Sequence, residues 1–145
     1  MRGSTVAEIP VTERLMSKAT VEYKGDALFE GVSGKHSVKM DLPASMKGKD
    51  RAMTPTELFA VSLAGYVNAL VVSYCREMKI QSDGLVVTLE YDKWDQPNWL
   101  GYLRIHIKMP GKDWEAHKDG ILRAAERCPV HETIFHHHPL AIEIK

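Results

Sequence analysis

Apolar and polar positions along the chain follow two rhythms, and these divide it into elements. The longest stretch in one rhythm runs from Thr54 to Ile80. No charged residue stands between Leu58 and Cys75, and Leu63, Val67, Leu70, Val71, Tyr74 and Met78 recur at spacings of three, four and seven. That period predicts a helix. Thr54 can cap the free amides, Pro55 suits a first turn, and Glu57 completes a Thr-x-x-Glu capping box. The opposite side carries Ala60, Ala64, Gly65 and Asn68, small enough for something to approach closely. A helix apolar on almost every side is a core helix or a membrane span. The run also holds two serines, an asparagine and two tyrosines, and mean hydropathy over the chain is -0.25. These favour the core helix. Its all-round apolarity asks for more cover than one chain of this size readily supplies, so a partner subunit is expected.

The second rhythm is alternation, the signature of half-buried strands. Before the helix it is weak over Met16–Glu22, short over Ala27–Gly31 and clear over Lys35–Leu42. There Val38, Met40 and Leu42 face one way and Ser37, Lys39 and Asp41 the other. Tight turns at Tyr23–Asp26 and Ser33–Lys35 make these three strands an antiparallel meander. Pro43–Met53 is a loop leading to the helix. After it, Leu85–Trp94 and Leu103–Met109 alternate around a turn at Asp95–Asn98. Asp113 can cap a second helix that has Trp114, His117, Ile121, Ala124 and Ala125 on its apolar side. Gly120 weakens that helix by about 1 kcal/mol. Val130–Ile134 can add a further turn or two, and Leu140, Ile142 and Ile144 alternate in a last strand. The order βββ-α-ββ-α-β predicts an α+β fold with helices on one face of an antiparallel or mixed sheet.

Composition narrows the function classes. The chain has 145 residues, with 19 basic and 19 acidic side chains. That balance leaves no basic field for nucleic acid or acidic lipid. The length suits one domain over residues 16–145, preceded by an N-terminal arm over 1–15. The opening Met1-Arg2-Gly3-Ser4 resembles a vector-derived leader. No secretory signal is visible, so a cytoplasmic location is expected.

Two cysteines are the first candidates for chemistry. Cys128 lies in Arg127-Cys128-Pro129-Val130-His131, where an arginine and a histidine could lower its pKa. A buried cysteine at a helix end is the other reading. Cys75 sits on the central helix as a structural thiol or as half of a redox pair with Cys128, which requires Cα atoms within about 7 Å. Cys128, His131, His136, His137 and His138 cluster in sequence, but no four of them match a recognised zinc arrangement. No metal and no cofactor are expected. Glu57 is best explained as the capping carboxylate. A general-base role would need a nucleophile beside it.

The segment Thr54-Pro55-Thr56-Glu57-Leu58-Phe59-Ala60-Val61-Ser62-Leu63-Ala64-Gly65, followed by Cys128-Pro129-Val130, resembles the OsmC/Ohr family of osmotically inducible and organic hydroperoxide resistance proteins. The order of elements agrees from about residue 16 to 145. The resemblance implies an α+β fold and an intertwined homodimer with central helices packed inside wrapped sheets. It also implies thiol chemistry, in which a cysteine on the central helix attacks a peroxide and a second cysteine resolves the sulfenic acid. Cys128 matches the second position. The first falls on Tyr66, and a phenol cannot run a sulfenic acid cycle. Glu57 matches the family's common glutamate, and Thr56 stands where a carboxylate follows the helix proline in the hydroperoxide-resistance branch. The thiolate-holding arginine of the family has no match at Arg14 or Arg51. Cys75 lies roughly 13 Å along the helix from Tyr66. Two functions follow. One is a binding protein with a pocket of Thr56, Tyr66, Asn68 and Cys128 for a small apolar or peroxide-like ligand. The alternative is a thiol-dependent hydroperoxide reductase using Cys128, Cys75 and Glu57.

Overall fold

The computed structural model describes residues 17–136 and 140–144. The expected arm over residues 1–15 lies outside them. The chain forms two compact units, Met1–Thr54 and Pro55–Lys145.

The first unit is the expected meander. Strands β1 (Ala19–Gly25), β2 (Leu28–Ser33) and β3 (His36–Met40) pair antiparallel in the order β1-β2-β3. Ser33 pairs with Ala19 on one side and His36 on the other, so Gly34 and Lys35 make a two-residue hairpin loop. The first turn falls at Asp26 and Ala27, three residues past the start expected for it. Both hold left-handed φ values of 56° and 58°, and β1 carries Tyr23 far enough to meet Phe29 at 5.4 Å between ring centroids. The third strand is shorter than its alternation predicts. It stops at Met40, and Asp41 turns into the unit and is fully buried.

The second unit is built on helix α1 (Pro55–Met78), which follows the predicted period. Ala60, expected on the opposite side, joins Leu63, Val67, Val71 and Cys75 in its buried stripe, since it stands three residues before Leu63. Against them pack Leu85, Val87, Leu89, Ile107 and Met109, the inward alternates of a hairpin, and Trp114, Ile121, Ala125 and Val130 of the helical segment after it. The hairpin joins β4 (Val86–Asp95) to β5 (Asn98–Lys108), and its ladder slips between Glu90 and Asp92.

The second helix starts later than Asp113 predicts. A single 3-10 turn at Glu115–His117 precedes α2 (Lys118–Glu126). Here the Trp114 indole donates to the Gly111 carbonyl at 3.1 Å. Gly120, costly for helix propensity, is buried where α2 crosses α1. A Cβ there would run into the Tyr74 phenol. The glycine is the condition for the close crossing. Helix α3 (Pro129–Phe135) follows, with Pro129 in its first turn.

The strand expected at the C-terminus is not formed. Residues 140–144 are irregular, and Leu140, Ile142 and Ile144 are 86, 86 and 100 % exposed. A strand needs a neighbour to satisfy its backbone donors and acceptors. None of the described strands pairs with this segment.

Candidate functional site

The side of α1 turned away from the core is a site candidate. Val61, Ala64, Gly65, Asn68, Ala69, Val72 and Arg76 follow one another along it and, with Val87 of β4, line an open groove of about 630 Å³. The small residues noted in the sequence leave the helix backbone accessible there. Asn68 and Arg76 are the polar groups in an otherwise apolar wall.

Asn68 is the one predicted pocket residue that lines this groove. Tyr66 is 44 % exposed on the same helix. At about 100° per residue it points to nearly the opposite side from Asn68. Thr56 is half-buried in the first turn, about 15 Å along the axis from Tyr66. Glu57 is also in the first turn and is exposed to solvent; it and Thr54 both have interaction partners. Cys128 is fully buried. The four pocket candidates therefore do not converge on one concavity within the chain.

The two cysteines do share a region. Both are free, fully inaccessible and part of the same core cluster. Cys75 lies on the buried stripe of α1, and burial pushes its thiol pKa up. That favours the protonated form over the thiolate that attacks peroxides. Cys128 is the residue before α3, and its side chain makes no capping hydrogen bond.

Nearby polar side chains are engaged with one another. The Tyr74 hydroxyl lies 3.5 Å from His117 Nδ1. His136 Nε2 contacts Glu132 Oε2 at 2.9 Å, one turn apart on α3. His137 and His138 lie outside the described residues. Among the described residues no cluster of histidine, cysteine and carboxylate side chains could hold a metal ion.

The OsmC-like protein family matches residues 48–145, two thirds of the chain. The chain belongs to that family. Its fold is similar to solved structures across nearly their full length. One is a Psychrobacter arcticus protein named for osmotic stress induction and a detoxification response. It shares 24 % identity over 88 % of this chain and 93 % of its own, with a TM-score of 0.74. An OsmC-like protein from Mycoplasma pneumoniae gives 18 % identity, 85 % and 89 % coverage and a TM-score of 0.70. An organic hydroperoxide resistance protein OsmC from Legionella pneumophila gives 21 %, 85 % and 91 %, and 0.62. Comparison with curated proteins returns no match.

Membership in the OsmC-like family settles how α1 is read. By length and composition it could cross a membrane, with a mean hydropathy of 1.7 over its most apolar window. In this α+β fold it is the core helix of a soluble protein.

The site features that sequence patterning missed are charged. Alternation places Asp41 on the polar face of a strand, yet it is the buried anchor of the loop before α1. Its carboxylate accepts from the Leu42 amide at 2.8 Å, the Arg51 amide at 3.1 Å and Arg51 Nε at 2.5 Å. The Arg51 guanidinium, helped by these amides, holds the Asp41 carboxyl far below the usual carboxylate range. Arg51 Nη2 also donates to the Asp26 carbonyl at 2.7 Å, and Lys49 pairs with the Asp26 carboxylate. Arg51 is thus committed to tying its loop to the β1–β2 turn. Arg51 and Asp41 stand ten residues apart, and nothing in the alternation of the chain signals the pairing. Arg76 stood in plain view as the first charge after the apolar run, but nothing in the sequence tied it to the groove.

Proposed function

We propose that this OsmC-like protein binds a small, mostly apolar ligand as a homodimer in the cytoplasm, in a stress-response role, without the family's peroxide turnover. The carrying observation is the state of the helix thiol. Where the resemblance expects a reactive cysteine the chain has Tyr66, and the thiol that α1 does carry, Cys75, is sealed in the core with its pKa raised by burial. A sulfenic acid cycle needs a thiolate that a hydroperoxide can reach. The names of structural neighbours in osmotic stress and hydroperoxide resistance support the stress-response role. The groove along α1 has the size and mixed lining of a small-molecule site. Asn68, with Arg76 beside it, is the polar contact within the groove; Thr56, Tyr66 and Glu57 lie elsewhere on α1 and would join it only in the assembled dimer, and Cys128 is sealed in the core.

A second reading keeps the thiols. Cys75 and Cys128 occupy one buried cluster, which favours them as partners should local opening admit an oxidant.

One experiment separates the two. The protein is mixed with cumene hydroperoxide and excess dithiothreitol, beside a Cys75→Ala, Cys128→Ala double variant. The binding reading expects saturable association and equal, background-level peroxide consumption by both proteins. Consumption that exceeds the double variant overturns it and establishes the reductase.

A further inference from the structure

The tip of the β4–β5 hairpin carries a group of side chains that neither the core nor the proposed ligand site uses. Trp94 and Trp99 are cross-strand partners, and Asp92 and Gly101 are the pair two residues further along. Opposed residues, and residues two apart, share a face of a sheet. It is the face away from Val87 and Leu89, which pack on the core. Gly101 lies beneath both indoles. A Cβ at Gly101 would stand 3.4 Å from Trp94 Nε1 and 3.8 Å from Trp99 Nε1. Tyr102 completes the group, with its ring centroid 6.1 Å from that of Trp94 and tilted by 44°.

Two features mark this cluster as more than a stray apolar patch. Tyr102 has φ 52°, in the left-handed region that bulky side chains avoid, and it sits where the ladder slips. The strain is not offset by burial, because Tyr102 remains 66 % exposed beside Trp99 at 60 %. Exposed strain of this kind is found where function requires a geometry. The second feature is charge. Among the described residues the Asp92 carboxylate has no ion-pair partner, whereas Glu90 on the same face is met by His106 at 3.4 Å. Aromatic rings beside an unpaired carboxylate are complementary to a cation with an apolar envelope, attracted by the ring faces and by the anion together.

We propose that Trp94, Trp99, Tyr102 and Asp92 form a binding site for a methylated ammonium group. Two tryptophans and a tyrosine supply the rings, and Asp92 supplies the countercharge. The site is separate from the α1 groove and does not depend on what that groove binds.

Choline and its neutral isostere dimethylbutanol are the probes, followed through the three indole N–H resonances of the intact protein. Trp114 serves as the internal reference, since its indole is bonded to Gly111. Choline is expected to shift the Trp94 and Trp99 signals saturably and leave Trp114 unmoved, with dimethylbutanol about ten-fold weaker. Asp92→Asn is expected to lower choline affinity by a similar factor without changing that for dimethylbutanol. Tyr102→Gly relieves the backbone, so it is expected to melt no lower than the parent while losing choline affinity. Equal binding of both probes, no binding of choline, or a Tyr102→Gly protein that melts lower and binds choline as before would each overturn the proposal.

Discussion

Gly120 shows how one residue can reverse a propensity argument. In an isolated helix, alanine there would gain about 1 kcal/mol. In the fold, the added methyl would have to displace the phenol of Tyr74, a half-buried side chain poised beside His117. Overpacking of this kind costs about 1–3 kcal/mol, so the clash outweighs the propensity. Gly120→Ala is expected to lower the urea midpoint, and Tyr74→Phe in the same background to restore part of it by removing the hydroxyl. Asp41 is the second case. Its folded pKa is depressed, so its stabilisation is present above the unfolded carboxyl value, about 3.9. It is lost as pH falls through the folded value. Melting temperatures of the parent and Asp41→Asn should therefore differ by a constant amount from neutral pH down to about 4, then converge in stronger acid. A gap that widens in acid would exclude the assigned ion pair. Neither role was legible in the sequence. Gly120 and Tyr74 lie far apart along the chain, and Asp41 fits an alternating pattern whose strand ends two residues early, at Met40.

At the scale of elements the sequence was more informative. Most of the period of α1, the alternates Leu85, Val87, Leu89, Ile107 and Met109, and the side of α2 around Ile121 recur in the core cluster, whereas Met78, Leu103 and Ile105 do not. Burial of a repeating face both leaves the pattern and stabilises the element. What failed were the ends. Asp113 does not begin α2, because Trp114 is held back by its bond to Gly111 and the chain first makes a 3-10 turn. The candidate site was less legible still. Thr56, Tyr66 and Asn68 are close in sequence but diverge around and along α1, so residue identity alone did not predict which would share a wall. The stripe of α1 can be tested directly. Leu63 is 3 % exposed at its centre, and Leu63→Ala is expected to cost about 2–5 kcal/mol in urea unfolding. A cost below 1 kcal/mol would mean that this face of α1 is not packed as described.

For the whole molecule, the open question is what covers the apolar surface that remains. Helix α1 keeps an accessible groove and exposes Val61, Tyr66 and Met78, while Leu140, Ile142 and Ile144 stand in solvent although they alternate like a strand. Both features fit a chain that completes its fold against a second copy, the arrangement implied by its resemblance to OsmC/Ohr proteins. Ile142 separates the possibilities, because it contacts so little within its own chain. In a lone chain, Ile142→Asp would be a surface change worth at most about 0.5 kcal/mol. If the segment pairs with a partner, the same change places a carboxylate in a packed strand and breaks the assembly. The parent is expected to sediment at twice the 16.3 kDa chain mass, with a melting temperature that rises with protein concentration. The variant is expected to sediment at the chain mass and melt lower, with no concentration dependence. A variant that stays dimeric and equally stable would show that residues 140–144 lie outside the interface.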